Sequence, residues 1–363
     1  MDRARRPFRP PHCPNAACDS HATPRPWRFI RKGFYPRPRR GDRIQRYRCS
    51  HCGRSFSSQT FAPDYWLKRT ALFRQLFFRI RGCSGLRQIA QEFGVAHSTV
   101  QRQVERLGRH CLLFHERLRP RVPREPLVLD GLRSFESGQY WPHDLNLLVG
   151  ASHYVYGFNE AELRRSGAMT PTQREKRRAL EARHGRPDPE ATRKAVEELL
   201  ARVLPEGASA TLRTDEHASY PRAIRRVAGR AIQHETTSSR DARTSRNPLF
   251  PANLADQLVR HGSANQKRET IAFSKRRQGA LYRLAIWAVW RNYVKSSSEN
   301  RRTPPPAVGL GITPRRLTLE QILARRLFPW RQELGGWLGR CYRGEIPTRC
   351  LPRIRTHVLR YAG

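Results

Sequence analysis

Short apolar runs alternate with charged stretches in the middle of the chain, and two of these runs end in an acidic residue. Residues 127–129 read Leu-Val-Leu and lead into Asp130 and Gly131, while residues 210–215 read Ala-Thr-Leu-Arg-Thr-Asp. Runs this short, bounded by turn residues, are typical of buried strands. Residues 145–150 and 154–158 predict two more strands, and three strands in close succession predict an antiparallel meander.

The two acidic strands are separated by a charged helical pattern over residues 171–203. A crossover of that length lets the strand before Asp215 pair in parallel beside the strand of Asp130, which would bring both carboxylates to one edge of the sheet. A shorter helix over 220–227, a strand over 231–234 and a polar loop over 235–249 follow. The predicted fold class is therefore α/β (α+β).

Upstream of the strands, the apolar positions follow a helical period instead. A stripe over residues 64–80 predicts one helix, and residues 86–100 predict a short helix, a turn at Gly94 and a second helix capped by Ser98 or Thr99. Close packing of this kind is typical of a helix-turn-helix, with an ordinary helical hairpin as the alternative. The side chains predicted to face a DNA major groove are His97, Thr99, Gln101, Arg102 and Arg106.

Composition narrows the class of partner. The 363 residues contain 70 Lys and Arg against 30 Asp and Glu, a formal charge of +40, which favours a polyanion such as nucleic acid. The cations are almost all arginine, which suits phosphate and guanine contacts but would also follow from a GC-rich genome. No apolar run is long enough to span a membrane and the N-terminus lacks a signal-peptide pattern, so we expect a cytoplasmic, nucleoid-associated protein.

Four of the eight cysteines form two close pairs. Cys13 and Cys18 are separated from Cys49 and Cys52 by a segment that reads as a β-hairpin. Two short Cys loops flanking a hairpin predict a four-thiolate structural Zn²⁺ site of the zinc-ribbon type, and so small a segment would hardly fold without its metal. The nearby His12 and His51 are interpreted as neighbours of the site rather than ligands.

A third acid is expected to join the first two. Glu269 lies in the basic segment 260–277 and is predicted to open a long apolar helix, where the helix dipole favours a carboxylate. Asn265 would lie one turn before it, and Lys275 and Arg276 about two turns after it, where they could position DNA backbone. A capping or ion-pair role for Glu269 is the alternative, and Glu216 and Asp256 are competing acids.

These residues carry a resemblance to a known family. A zinc ribbon, a helix-turn-helix and then Asp, Asp and Glu resemble the DDE transposases of bacterial insertion elements, whose catalytic domain is ribonuclease H-like. The matching motifs are Leu-Asp-Gly at 129–131, Thr-Asp-Glu-His-Ala-Ser-Tyr at 214–220, and Asn265-x3-Glu269 with Arg276. The sequence departs from the pattern in the loop over 235–262 and in the tail over 301–363.

The resemblance implies four regions: a zinc ribbon over 1–60, a helix-turn-helix domain over 61–120, a ribonuclease H-like catalytic domain over 124–295 and a basic extension over 296–363. It also implies that Asp130, Asp215 and Glu269 hold two Mg²⁺ or Mn²⁺ ions for cleavage and strand transfer on double-stranded DNA, at element ends and target, within a homo-oligomer. The tail could act as a DNA clamp, as an oligomer contact or by packing on the catalytic domain.

Two rival functions share most of this pattern. A non-catalytic DNA-binding regulator would retain the ribbon and the helix-turn-helix, and a nuclease of the same fold would cut DNA without joining strands. The presence of all three predicted carboxylates favours an enzyme over the regulator.

Overall fold

A computed structural model describes residues 8–15, 17–22, 27–37, 42–65, 67–267, 270–299, 303–327 and 334–351. Near the N-terminus, helix α1 (Asp19–Ala22) precedes an antiparallel sheet of β1 (Phe29–Arg37), β2 (Asp42–Cys49) and β3 (Ser55–Ser57). The hairpin expected between the two cysteine pairs is therefore present. Its small aromatic core stacks Tyr47 on Phe56, and it is separate from the main core of the protein.

Three helices follow: α2 (Thr70–Arg79), α3 (Leu86–Glu92) and α4 (His97–Leu118). Val100, Val104 and Leu107 of α4 are buried, and Gly94 makes the predicted turn with a positive φ of 56° that glycine adopts readily. Two boundaries differ from the prediction. Helix α2 begins at Thr70 rather than at residue 64, and α4 begins at His97 with Ala96 in the capping position, so neither Ser98 nor Thr99 caps it.

The centre of the protein is a five-stranded mixed sheet. Its strands are β4 (Leu127–Phe135), β5 (Pro142–Gly150), β6 (Val155–Glu162), β7 (Ser209–Thr214) and β8 (Ala231–Thr236), in the order β6-β5-β4-β7-β8. The predicted antiparallel meander is confirmed for β4, β5 and β6, and the predicted parallel pairing is confirmed for β4 and β7. This arrangement is compatible with a ribonuclease H-like fold.

Helices in the connections between the strands pack on the sheet. The predicted charged segment forms two helices, α5 (Pro171–His184) and α6 (Ala191–Val203), because Gly185 with φ 82° ends the first. Helix α6 buries an apolar stripe that ends at Val203, whereas α5 has no fully buried residue. The shorter helix α7 (Ser219–Ile224) connects β7 to β8, and α8 (Phe250–Gly262) packs on β4 and β5.

Helix α9 (Arg277–Tyr293) is buried along almost its whole length and joins the helical region to the sheet. Its neighbour α4 crosses it at Gly108, next to Tyr282. The described part of the tail contributes α10 (Pro306–Gly309), α11 (Leu319–Ala324) and α12 (Gly336–Arg343).

The described tail packs on the rest of the protein, as one of the three alternatives proposed. Gln278 donates to the carbonyl of Cys341 and accepts from the amide of Ile346, and Arg349 pairs with Glu162 on β6. Apolar side chains from α2 through α12 belong to one continuous core, so the helical region, the sheet and this tail are packed together. None of the helices in the described ranges is both long enough and apolar enough to cross a membrane.

Candidate functional site

The four cysteines predicted to bind metal converge. Cys13, Cys18, Cys49 and Cys52 have sulfur atoms that all lie within 4.8 Å of one another, with Sγ of Cys13 3.6 Å from that of Cys52 and Sγ of Cys18 4.0 Å from that of Cys49. None of the four forms a disulfide bond, and only Cys52 is exposed. The arrangement could hold zinc, because four thiolates at these separations match a tetrahedral zinc site.

The local backbone explains why the thiols meet. Cys49 ends β2, and Gly53, with φ 70°, allows the chain to turn back and place Cys52 beside it. The amide of Cys13 donates to the carbonyl of Ser20, which closes the other cysteine loop. Burial raises the pKa of Cys13 well above that of an ordinary thiol. A bound dication would stabilise the deprotonated form of this side chain, because metal ligands of this type are thiolates.

The two histidines near the cysteines are not part of the sulfur cluster. His12 has its Nδ1 2.9 Å from the carbonyl of Cys13, and His51 pairs with Asp19 at 3.3 Å. This agrees with the prediction that they are neighbours rather than ligands.

Basic and aromatic side chains cover the outside of the β1–β2 hairpin. Ile30, Phe34 and Tyr35 are among the most exposed large apolar residues of the described chain, and the Arg43 guanidinium lies 5.0 Å from the Phe34 ring. Exposed cations surround them on both strands: Arg28, Arg31, Lys32, Arg43, Arg46 and Arg48. Such a surface is able to contact nucleic-acid phosphates and bases.

The five predicted DNA-facing residues of α4 have different environments. His97 and Arg102 are exposed, and Thr99 and Gln101 are partly buried, with Gln101 donating to Glu105 at 2.9 Å. Arg106 donates to the backbone carbonyls of Pro63 and Tyr65 and so fixes the preceding segment against the helix. Their contact with DNA stays a prediction, and Arg102 presents the most accessible cation.

Asp130 and Asp215 lie at matching positions on neighbouring strands. Leu127 pairs with Leu212 in the parallel ladder, and each aspartate comes three residues after its member of that pair, Asp130 within β4 and Asp215 directly after β7. The last pair of that ladder, Val128 with Arg213, comes two residues before both aspartates. Burial raises the pKa of Asp130, the amide of Gly131 lowers it, and the negative charge of Asp215 raises it further.

The strand of Asp130 does not end where the sequence suggested. β4 continues through Gly131 to Phe135, fully paired with β5, so an Asp-Gly turn at this point is excluded and Asp130 lies within the strand. Asp215, in contrast, directly follows β7, and its Oδ1 accepts from the amide of His217 at 3.0 Å. Buried Tyr220 lies beside both acids: its pKa is raised well above its usual range by burial and then by their charges.

Asp144 is an acid near this site that sequence reasoning missed. It sits on β5 and receives two hydrogen bonds from Arg133, at 2.9 and 3.2 Å. Its only signal in the sequence is a charged residue within an apolar strand. The competing acid Glu216 turns away from Asp215 toward the loop, where it accepts from the amide of Ser239 at 3.1 Å.

The helix expected to begin at Glu269 begins later. Glu269 lies outside the described residues, but residues 270–276 are not helical and α9 begins at Arg277, with Arg276 in the capping position. The Thr270 hydroxyl donates to the carbonyl of Ala264 and accepts from the amide of Ala272, and such local bonds compete with a helix. The prediction that Glu269 and Arg276 share one helix face is therefore wrong.

The other residues predicted around Glu269 make contacts away from Asp130. Ser274 pairs with Glu136, six residues along β4 from Asp130, or about 20 Å at the rise of a strand. Lys275 is exposed beside the ring of Phe273. Asn265 is buried, donates to Ser274 and accepts from Arg283, so in this conformation its amide is used within the protein.

Among the described residues, the four cysteines bring their ligand atoms within 4.8 Å of one another. No three carboxylates of the described chain come this close together. The acids nonetheless offer hard oxygen ligands, which suit Mg²⁺ or Mn²⁺ rather than zinc bound by thiolates.

Comparisons with known proteins give little guidance. No family model matches the sequence, and no curated protein matches it. Among solved structures, the chain is similar to a chain of the simian T-cell lymphotropic virus intasome in complex with PP2A regulatory subunit B56 gamma. The identity is 14%, the match covers 64% of this chain and 70% of that one, and the TM-score is 0.24. A likeness at this TM-score supports no conclusion about fold or activity.

Proposed function

We propose that this protein is a metal-dependent DNA transposase that binds the ends of an insertion element, cuts DNA strands there and joins them to target DNA. The observation that supports the proposal is the matching position of two acids in a strongly basic protein: Asp130 in β4 and Asp215 directly after its parallel neighbour β7, near enough for the charge of Asp215 to raise the pKa of Asp130. Two adjacent carboxylates at a partly buried position repel one another, and this arrangement is most readily explained by a divalent cation.

Each part of the chain has a role in this proposal. The zinc-bearing hairpin and α4 contact double-stranded DNA, with phosphate contacts fixing the orientation and α4 contributing base contacts. Asp130 and Asp215 hold divalent metal with a third carboxylate. Mg²⁺ or Mn²⁺, when bound, would activate the attacking hydroxyl and stabilise the leaving oxygen.

The partners follow from the same reasoning. A formal charge of +40 gives strong, salt-sensitive attraction to DNA phosphates and does not itself select a sequence. Joining two element ends to a target requires two active sites in one complex, so we propose that the protein works as a homo-oligomer.

A joining assay tests the proposal. The protein is incubated with Mg²⁺ or Mn²⁺, labelled duplexes taken from the DNA that flanks the gene on each side, and a supercoiled target plasmid. Joined product supports a transposase, cut product alone indicates a nuclease, and binding without either indicates a regulator.

Matched variants make the result specific. Asp130→Asn and Asp215→Asn should abolish cutting and joining but leave DNA binding intact, because the amide keeps the shape and removes the charge. Asp188→Asn is the control, since Asp188 is exposed and pairs with Lys194 in the connection between α5 and α6. Joining activity that persists in Asp130→Asn would show that these acids are not catalytic.

A further inference from the structure

The outer end of the β1–β2 hairpin is a two-stranded ribbon. Strand β3 pairs with β2 over residues 46–48, whereas residues 34–36 of β1 pair with 43–45 of β2 beyond the reach of this third strand in the described sheet. A bulge at Lys32 and Gly33, where Gly33 has φ 70°, separates this ribbon from the base of the hairpin and increases the local twist. The ribbon, residues 34–36 and 43–45, therefore has two faces that β3 does not cover.

The ribbon carries two of the exposed aromatic rings of the described chain. Phe34 is 51% exposed and Tyr35 is 36% exposed, and Phe78 on α2 is the third such residue in the described ranges. Because consecutive residues of a strand point to opposite faces, the ribbon presents one ring on each side. Both rings are available to a partner.

Local contacts hold these rings in place. The Tyr35 hydroxyl donates to Oγ of Ser57 at 3.3 Å, and the Arg43 guanidinium lies 5.0 Å from the centre of the Phe34 ring. Side chains that are already fixed lose less conformational entropy when a ligand binds. A cation beside the ring of Phe34 could also contact a phosphate next to a stacked group.

The charge of the hairpin selects the class of partner. Residues 27–57 contain nine arginines and one lysine against a single acid, Asp42. A second copy of this chain, with a formal charge of +40, would be repelled. Nucleic acid supplies both the negative charge that these cations attract and the flat apolar faces that aromatic rings stack on.

The rings further favour unpaired bases over a duplex. In a duplex the faces of the bases are covered by their neighbours, and the grooves present only base edges. Contacts with phosphates need cations but no aromatic ring. Exposed rings on a basic ribbon gain most from a strand whose bases are free to stack on them.

We infer that the ribbon binds single-stranded DNA, with Phe34 and Tyr35 stacking on unpaired bases and the neighbouring arginines contacting phosphates. The inference rests on the proposed function for the source of this strand, because cutting at an element end frees a strand end that can separate from its partner. The adjoining duplex would remain on α4. The binding itself can be measured without any cutting.

Fluorescence anisotropy with the full-length, zinc-loaded protein tests this inference. The probes are a labelled oligothymidine of about 12 nucleotides and a duplex of the same length. Phe34→Ala and Tyr35→Ala should each weaken oligothymidine binding about 5–100-fold, the range expected for the loss of one stacked base, and should leave duplex binding unchanged. Tyr35→Phe should bind like the wild type, because it keeps the ring.

Phe78→Ala is the matched control. It removes a ring of nearly equal exposure, 48%, from α2, and it should change neither affinity. Bound zinc and the unfolding temperature should equal those of the wild type for Phe34→Ala and Tyr35→Ala, because both rings are exposed.

Two further measurements separate stacking from charge. An oligonucleotide containing 2-aminopurine should lose fluorescence when the wild type binds it and lose less when saturated with Phe34→Ala. The salt dependence of oligothymidine binding should be the same for Phe34→Ala as for the wild type. Arg46→Ala, which removes an exposed cation, should lower it by about one phosphate contact.

Three results would overturn the inference. Equal losses of duplex and oligothymidine affinity in Phe34→Ala and Tyr35→Ala would show that the ribbon contacts paired DNA. Unchanged affinities for both probes would show that the rings do not contact DNA. Loss of binding to anionic phospholipid vesicles in these variants, with oligothymidine binding intact, would assign the ribbon to a membrane surface.

The failure of this inference is distinguishable from the failure of the proposed function. A wild type that joins DNA, with a Phe34→Ala variant that binds oligothymidine equally well, would refute the role of the ribbon and leave the transposase intact. Oligothymidine binding that depends on Phe34 and Tyr35, in a protein that neither cuts nor joins DNA, would support the ribbon and refute the transposase.

Discussion

The crossing of α4 and α9 predicts that replacing two helical glycines, Gly108 and Gly279, by alanine changes the stability of the protein in opposite directions. A Cβ added to Gly108 would lie 2.8 Å from Cγ and Cδ1 of Tyr282, closer than the 3.0 Å limit of real contacts. Tyr282 cannot move aside easily, because its ring is buried and its hydroxyl donates to the carbonyl of Tyr342. Gly279, at the start of α9, has nothing within 4 Å of the same position.

The magnitudes follow from opposing effects. Replacing glycine by alanine inside a helix contributes about 1 kcal/mol of stability, and overpacking a core costs about 1–3 kcal/mol. Gly279→Ala should therefore stabilise the protein by about 0.5–1 kcal/mol. For Gly108→Ala the steric cost should exceed the gain, with a net loss of up to about 2 kcal/mol.

Urea unfolding followed by tryptophan fluorescence measures both variants against the wild type. The midpoint should fall for Gly108→Ala and rise for Gly279→Ala, with similar slopes for all three proteins. Because the helices and the sheet share a core, far-ultraviolet circular dichroism should report the same midpoints. If Gly108→Ala is as stable as Gly279→Ala, the close approach of α4 to α9 is refuted.

Four further predictions address the metal, pH, DNA and the buried ion network. Cys49→Ser should prevent zinc binding and expose the hairpin, measured as a loss of bound zinc and faster proteolysis of the N-terminal segment. Burial lowers the pKa of His110 to about 4. The unfolded side chain titrates near 6.5, so about 3 kcal/mol of stability is lost as pH falls from about 6.5 to 4, and urea midpoints of the wild type should fall more steeply than those of His110→Gln. Arg102→Ala should reduce the salt dependence of DNA binding by about one phosphate contact, whereas Arg106→Ala should mainly lower the unfolding midpoint. Arg277→Met should destabilise the protein by about 3–5 kcal/mol in urea unfolding, because its guanidinium bonds to three glutamates of the sheet region.

The sheet was the part of the fold that local sequence could predict. Its strands are short apolar runs, and the crossover before Asp215 is long enough for a parallel partner, so the pairing of β4 with β7 followed from pattern and chain length. The end of β4 did not follow from Asp130 and Gly131. The ladder to β5 continues through both residues because Leu132 beyond them is buried, and long-range pairing outweighs the local turn preference.

The start of α9 was mispredicted for a local reason. Residues 270–276 carry charged side chains, but the Thr270 hydroxyl bonds to backbone groups and Ser274 pairs with Glu136, directly after β4. These contacts hold the segment out of a helix until Arg277, whose charge satisfies the glutamates of the sheet region. The period of apolar residues indicates where a helix is possible. It does not show where hydrogen bonds from side chains to the backbone move the start of that helix to a later residue.

The position of Asp256 was beyond a sequence argument because it depends on the register between a helix and a strand. Ala252 packs with Val128, and Arg260 donates to the carbonyl of Arg133, so these contacts set α8 along β4. Side chains that meet across elements so far apart in sequence are selected by packing and leave no local pattern.

The charge distribution links the two kinds of site. Phosphates are attracted to the arginine-rich surfaces, but the negative charges of Asp130 and Asp215 repel them until these charges are neutralised. If the proposed function holds, DNA bound by the hairpin and α4 is retained without divalent metal, and only the approach of the scissile phosphate to Asp130 requires it. DNA affinity should then be nearly independent of Mg²⁺, whereas protection of the cut site from nuclease digestion should appear only when Mg²⁺ is present and Asp130 is intact.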